Sequence, residues 1–339
     1  MDMNKLVSVL VPAYNVSSYV REALSSVLAQ TYKHLEIIVI DDGSTDNTGE
    51  ILNQLAKSDT RLRIIHNEKN IGIIKTLNKG LNLAKGDYIA RMDADDLIVP
   101  DWIEKILNRM ENEPHIFAMG GSLQILSSNT GKLAKIYKNG KIFQFPTEHD
   151  DIIRTLPFDN PMAHPTMIMR AEIFSRNGLR YDEHYPKAED YKLWLEISKI
   201  GQLANLPDVL LQYRIHENQT SSMHNQQQIS TARKIRFEAA NRFFEIIGLT
   251  SQLPYDFNAK SLHLLTAEID EKNAEICVKD QHILSKIVAS LILSLSELAL
   301  KDWLIFLSAK KYQRYRRGGV MKKLFKKYFN HRNYGIYGK

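Results

Sequence analysis

Three carboxylates in four positions, Asp93, Asp95 and Asp96, close the stretch Arg91-Met92-Asp93-Ala94-Asp95-Asp96. They follow an apolar run, Tyr88-Ile89-Ala90, that reads as the end of a buried strand. Carboxylates crowded at a strand end repel one another unless a positive charge sits among them. A divalent cation such as Mn²⁺ or Mg²⁺ prefers such oxygen ligands. Held by only one or two protein carboxylates, it shares its remaining positions with water and phosphate. The cluster therefore points to a site that grips a metal–diphosphate. The competing reading is a solvated acidic loop that caps the helix begun by Trp102 and Ile103. Taken alone the cluster favours the cap, and the rest of the chain has to reverse that.

A second acidic pair, Glu189-Asp190, opens a segment whose apolar residues Leu193, Trp194 and Ile197 have helical spacing. Acidic residues in a first helical turn commonly serve the helix dipole. The same dipole keeps a carboxylate ionised, which a general base requires. Alone the pair reads as structural; together with a metal site Asp190 becomes the candidate base, and Trp194 is expected in the core rather than as a ligand platform. His216 closes Tyr213-Arg214-Ile215-His216, and His164 lies between prolines in Asn160-Pro161-Met162-Ala163-His164-Pro165. In Asp41-Asp42-Gly43-Ser44-Thr45 the aspartates are adjacent, which discounts a haloacid-dehalogenase-like phosphatase with its D-x-D-G-T spacing. The sequence has no G-x-G-x-x-G and no P-loop. No Gly-rich basic loop follows the first apolar run, which disfavours a nucleotidylyltransferase.

Strands must bring these groups together. Leu6 to Val11, Leu35 to Ile40, Arg61 to His66 and Asp87 to Ala90 read as strands. Tyr19 to Gln30, the turn after Asp46 through Leu55, and Asn70 to Ala84 read as the helices and loops between them. Asn15 to Ser18 offer capping residues. This alternation argues for a mostly parallel sheet with helices on both faces. Ligands of such sheets bind beyond the carboxyl ends of the strands, where Pro12-Ala13-Tyr14-Asn15, Asp41-Asp42 and Asp93 to Asp96 all fall. Later strands are expected at Phe117–Leu126, Thr166–Met169 and Val209–Tyr213, with a hairpin around Asn139-Gly140 within 132–145. Beyond about Asn225 the pattern is helical.

The N-terminal two thirds resembles the family 2 glycosyltransferases. Val9-Leu10-Val11-Pro12-Ala13-Tyr14-Asn15, Val39-Ile40-Asp41-Asp42-Gly43-Ser44-Thr45-Asp46, Asn70-Ile71-Gly72 with Asn78, Gly86-Asp87-Tyr88-Ile89-Ala90, Asp93-Ala94-Asp95-Asp96, Glu189-Asp190 and Tyr213-Arg214-Ile215-His216 carry it, in that order. The resemblance implies the α/β GT-A fold, a Rossmann-like, mostly parallel sheet flanked by helices, here with an α-helical C-terminal extension. It implies a catalytic domain over 1–224, with a nucleotide-sugar half (1–112) and an acceptor half (113–224). It also implies a metal-dependent, inverting transfer from a UDP-sugar to a hydroxyl of a glycan or lipid-linked saccharide, as in bacterial surface-polysaccharide or glycolipid assembly.

By the same resemblance Asp42 would hydrogen-bond the base, flanked by Pro12, Ala13, Tyr14 and Asn15. Asp95 would ligate the metal and His216 complete its site or touch the diphosphate. Asp93 with Ala94 would reach ribose or sugar hydroxyls, and Asp96 the donor sugar or the metal. Asp190, beside Glu189, would be the base, and His164 would line the pocket. One departure stands out: many relatives have Arg just before the residue matching Asn78, and here it is Leu77; Lys75 is the nearest cation that could reach a phosphate or base. The alternative is a non-catalytic nucleotide-sugar-binding or scaffold protein, against which the intact Asp93, Asp95 and Asp190 argue.

Composition bounds the rest. At 339 residues, 44% hydrophobic and 25% charged, the chain is ordinary for a globular protein of one large domain and an appendage. A single cysteine excludes an internal disulfide framework and suits a reducing compartment. No secretory leader is read in Met1 to Lys5, and the longest apolar stretch, 283–300, is broken by Lys286 and Glu297. A cytoplasmic enzyme is expected. Of the 45 Lys and Arg, 11 lie after Asp302, where there is no acidic residue, so the net +6 belongs to the C-terminus (225–339 being the helical region). Within 309–332, Val320, Met321, Leu324, Phe325, Tyr328 and Phe329 form one stripe and Lys322, Lys323, Lys326 and Lys327 the opposite face. Such a helix suits peripheral binding to an anionic membrane or packing on its own domain with a solvated lysine face. Nucleic acid is not expected as a partner.

Overall fold

The computed structural model describes residues 5–127, 137–216 and 225–294. Among these, nine strands form one sheet. β1 (Val7–Ala13), β2 (Leu35–Asp41), β3 (Leu62–His66) and β4 (Tyr88–Arg91) are parallel, in the order β3-β2-β1-β4. Between them run α1 (Val20–Leu28), α2 (Thr48–Ala56) and α3 (Ile73–Leu83). Near-continuous apolar strands such as Leu35-Glu36-Ile37-Ile38-Val39-Ile40 are required because both faces are covered. Val7, Val9, Val11, Ile37 and Val39 pack with Val20, Leu24 and Val27 of α1, Leu52 of α2 and Trp102, Ile103 and Ile106 of α4 (Trp102–Asn112). On the other face, Gly80 of α3 lies close over Leu10 and Ile40.

The strand order reverses beside β1, and such a switch point opens a crevice at the carboxyl ends of its neighbours. β4 leaves β1 after the Leu10–Arg91 register, so Pro12 sits where the ladder is already one-sided and its missing N–H is tolerated. The end of β1 with the turn after it, residues 12–15, and the loop after β4, residues 92–96, therefore flank the crevice.

Beyond β4 the sheet becomes mixed. β5 (Leu97–Ile98), β6 (Ile116–Ser127), β7 (Ile142–Phe143), β8 (Ile168–Arg170) and β9 (Gln202–Ile215) complete the sheet as β4-β8-β6-β9-β5, with β7 on β6. β8 is antiparallel to both β4 and β6, while β6 and β9 are parallel. Two elements differ from expectation. The strand foreseen from Thr166 begins only at Ile168, because His164–Thr166 form a 3₁₀ turn. Pro165 pre-sets that turn, and Thr166 Oγ1 donates to Ala163 O at 2.7 Å. β9 is far longer than Val209–Tyr213 because it survives Pro207: the register jumps from Gly121–Leu206 to Ser122–Val209 and bulges out Pro207 and Asp208. The hairpin around Gly140 (φ 77°) joins β6 to β7; its residues 132–136 lie outside the described ones.

α5 (His149–Thr155), α6 (Glu172–Ser175) and α7 (Glu189–Ile197) surround the second half. The chain divides into two compact units at Ile235/Arg236, a point within α8 (Asn225–Ile246). The second unit contains the end of α8, α9 (Ala259–Glu271) and α10 (Val278–Ser294). It is held by buried Phe243, Phe244, Leu262, Leu265, Leu284 and Val288, with Asn258 capping α9 through Lys260 and Ser261 N–H groups.

One glycine governs the edge of the crevice. Gly43 has φ +70°, and a Cβ there would lie 2.5 Å from the carbonyl carbon of Lys69. Both the left-handed backbone and a backbone neighbour that cannot yield exclude a side chain. Gly43→Ala is expected to cost about 2–4 kcal/mol and lower the Tm by roughly 5 °C or more in a thermal melt. A Tm equal to that of the parent would refute the close approach.

Candidate active site

The acidic loop does not cap α4. That helix has Asp101 at its N-cap, makes no side-chain capping bond, and is separated from the loop by β5. Asp93, Asp95 and Asp96 instead present carboxylate oxygens within 4.8 Å of one another at the crevice. Asp96 is fully buried, and one of its oxygens has no hydrogen-bond partner. Burial, then Asp95 and Asp93, push its pKa well above the usual carboxylate range. An orphaned buried carboxylate beside two others is the donor set of a hard divalent cation.

From sequence, the positive charge that the cluster needs is expected to be a metal. The chain supplies one as well. Arg91, 5% exposed at the end of β4, holds Asp93 with both arms, Nη1 to Oδ2 at 2.8 Å and Nη2 to Oδ1 at 2.5 Å. Burial opposes its charge, but Asp93, Tyr181 and Asp190 outweigh burial and keep Arg91 cationic. Burial raises the Asp93 pKa, Arg91 lowers it and Asp95 adds to the rise. The signal in the sequence was a charged residue ending an otherwise fully apolar strand.

β9 returns to this loop from far along the chain. Its Arg214 N–H donates to Asp96 Oδ1 (2.8 Å), and Arg214 Nε donates to the Asp95 carbonyl (2.7 Å). Two residues on, His216 Nε2 meets Asp95 Oδ2 at 2.8 Å, its ring 4.7 Å from that of Tyr19 at the start of α1. The structure thus brings His216 to the residue with which it would share a cation.

On the other side of β1, the Asp42 carboxylate is 5% exposed and accepts three hydrogen bonds. Asn67 Nδ2 (2.8 Å) and Ile71 N–H (2.9 Å) reach Oδ1, and Gly72 N–H (3.0 Å) reaches Oδ2. Asp42 therefore does not cap the following helix but ties down the chain just before α3; α2 begins after Asn47, with Asp46 accepting from Thr48 N–H. Asn15 has φ 52°, and its side chain accepts from Thr45 N–H at 2.8 Å. Instead of capping α1, the 15–17 backbone donates to Ser44, Thr48 and Asp46. This ties Pro12, Ala13 and Tyr14, whose ring is 45% exposed, to the Asp42 turn.

Lys75 and Leu77 part company. Leu77 is 2% exposed in the core. The Lys75 ammonium faces Glu183 at 3.5 Å, both side chains more than half exposed; such a pair holds weakly and leaves the lysine free to move. Asn78 grips the Tyr181 backbone with both ends of its amide, at 2.9 and 3.0 Å, and so fixes the segment leading to α7.

At the start of α7, Asp190 is partly buried, and desolvation raises its pKa against the opposing Tyr191 N–H and Asn160 amide. Asn160 Nδ2 donates to Asp190 Oδ2 at 2.8 Å, a contact nothing in the sequence announces. Glu189 is pushed up to about 7 by burial and then by Asp190, and its Oε2 is unpartnered. His164 is buried, with Nε2 2.8 Å from Tyr181 Oη and its ring 5.6 Å from that of Trp194. Burial, then Arg91, holds it neutral. Trp194 is fully buried, as expected of a core residue.

Known proteins share the sequence pattern and the fold. The family model for glycosyl transferase family 2 matches residues 8–178. A protein of Haemophilus influenzae named an uncharacterized glycosyltransferase is 42% identical over 308 residues, 91% of this chain and 92% of its own. Glycosyltransferase GlyG of Streptococcus pneumoniae is 30% identical over 217 residues, 58% of this chain and 68% of its own. Among solved structures, Staphylococcus aureus TarS 1–349 in complex with UDP-GlcNAc matches with a TM-score of 0.54 and 19% identity, over 97% of this chain and 93% of that one. The mannosyltransferase PcManGT of Pyrobaculum calidifontis, in complex with GDP-Man and Mn²⁺, matches with 0.53 and 16%, over 96% and 88%. At these identities the structural likeness concerns the fold.

Proposed function

The chain belongs to glycosyl transferase family 2 and is a glycosyltransferase, and on that premise we propose that it is metal-dependent and inverting, moving a sugar from a UDP-sugar to a hydroxyl of a glycan or lipid-linked saccharide. The observation that carries this reading is the closeness of the Asp93–Asp95–Asp96 group to Asp190, with Arg91 between them, while Asp42 ends up at the same carboxyl edge of the parallel strands. Arg91 is hydrogen-bonded to Asp93 and attracted by the charge of Asp190.

Asp42 supports uracil. An ionised carboxylate has about four acceptor sites, and three are taken by Asn67, Ile71 and Gly72. The one left suits the single N3–H of uracil; guanine presents two adjacent donors and asks for two acceptors. Asp95, Asp96 and His216 would hold the cation, which, when bound, supplies charge neutralisation for the departing diphosphate. Asp93, already locked by Arg91, presents a fixed edge to sugar hydroxyls. Asp190 takes the proton of the acceptor hydroxyl as that oxygen attacks the anomeric carbon from the face opposite the nucleotide. A single displacement of this kind inverts the anomeric centre.

Acceptor attachment to a lipid would suit the basic 309–332 tail, which lies outside the described residues. Among the described residues no helix is long and apolar enough to cross a membrane. Cleaving the chain after Lys301 should then weaken liposome binding.

Nucleotide sugars tested in thermal-shift assays with and without Mn²⁺ check the donor. UDP-sugars are expected to raise the Tm only with the cation. By mass action the gain is about 2.7 kcal/mol at a hundredfold excess over Kd. Stabilisation by GDP-sugars alone would overturn the uracil assignment.

A further inference from the structure

The segment Asn160-Pro161-Met162-Ala163-His164-Pro165 has no role in the chemistry above, yet it is held as firmly as a strand. Asn205, fully buried on β9, donates through Nδ2 to the Pro146 carbonyl (2.8 Å) and the Pro161 carbonyl (3.1 Å). The Ala163 carbonyl accepts from Thr166 N–H (2.9 Å) and Thr166 Oγ1 (2.7 Å). His164 wedges between Tyr181 and Trp194, and Trp194 lies on α7, the helix that Asp190 begins. Two prolines fix their own φ angles. The segment is a rigid strut packed on the helix that carries the base.

At its head, the Asn160 amide has a defined orientation. Its Oδ1 accepts from Met162 N–H at 3.3 Å, and its Nδ2 donates to Asp190 Oδ2 at 2.8 Å. The reverse orientation would set oxygen against a carboxylate oxygen and NH₂ against an N–H, so only one is allowed.

We propose that Asn160 is the positioning residue of the base, holding the Asp190 carboxylate at the angle from which it meets the acceptor hydroxyl. A carboxylate at a helix start can turn about two side-chain bonds; an amide on a strut removes that freedom before the acceptor arrives. The bond also favours the ionised carboxylate, in company with Arg91 of β4 and the Tyr191 N–H. Glu189 on the same helix, and Asp93 and Tyr181 facing it, act in the opposite sense when ionised.

The inference rests on Asp190 being the base, and the test separates the two. In steady-state transfer assays across pH, Asn160→Ala and the isosteric Asn160→Asp are expected to lower kcat about 10- to 100-fold with KM for the nucleotide sugar unchanged. The acid limb of the pH–kcat profile should move up by about one unit, further in Asn160→Asp, where a like charge replaces a donor. A merely structural loop would lower the Tm and leave the acid limb in place. Folded Asn160→Asp with an unshifted acid limb overturns the role of Asn160, and Asn160→Asp decides should Asn160→Ala fail to fold. Full activity of Asp190→Asn would instead overturn the base, and with it the premise.

Discussion

Asp190→Asn is expected to reduce transfer by about 10²- to 10⁴-fold, the usual contribution of a positioned general base, while donor binding is kept. The amide is isosteric, so the Asn160 contact and the α7 start change little in shape, but it accepts no proton. The parent enzyme carries its own signature. Burial raises the Asp190 pKa despite the Tyr191 N–H and the Asn160 amide. Turnover requires the ionised form, so the rate rises with pH through that elevated pKa. The acid limb of kcat should therefore lie above the range of an exposed aspartate. In Asp190→Asn that limb should vanish with the activity. Calorimetric titration of UDP and kcat measured together decide the matter; unchanged turnover would remove Asp190 as base.

Stripping divalent cations is the second large effect. With EDTA, transfer is expected to fall on the order of 10³-fold, since a Lewis acid supplies several kcal/mol at a departing diphosphate. Mn²⁺ or Mg²⁺ should restore it. Asp95→Ala should not be restored at the same concentrations, because it removes the carboxylate that faces His216 at 2.8 Å. Arg91 makes this a real contest. It is a permanent buried cation bound to Asp93, and such a group can neutralise charge by itself. Full activity in EDTA would assign that work to Arg91 and take the metal out of the mechanism.

The sequence by itself determined the parallel first half of the sheet. Strand and helix periods are local, and four apolar runs alternating with helical segments admit few arrangements. Acids that follow apolar strands in such a sheet must lie at its carboxyl edge, so Asp42 and the Asp93–Asp96 loop were placed from pattern alone. The order of the motifs likewise carried the family, which the relatives share.

Only the tertiary structure decided how the acids are partnered. Asp95 meets His216 across 121 positions and Asp190 meets Asn160 across 30. Those meetings depend on β9 passing Pro207 through a bulge and on the strut before β8, neither of which has a local period. The choice between a helix cap and a cation site at Asp93–Asp96 was open for the same reason. Capping and chelation use identical side chains, and what separates them is whether a helix N-terminus or other carboxylates lie within reach. Here β5 holds α4 away, while Arg91, Arg214 and His216 close around the cluster.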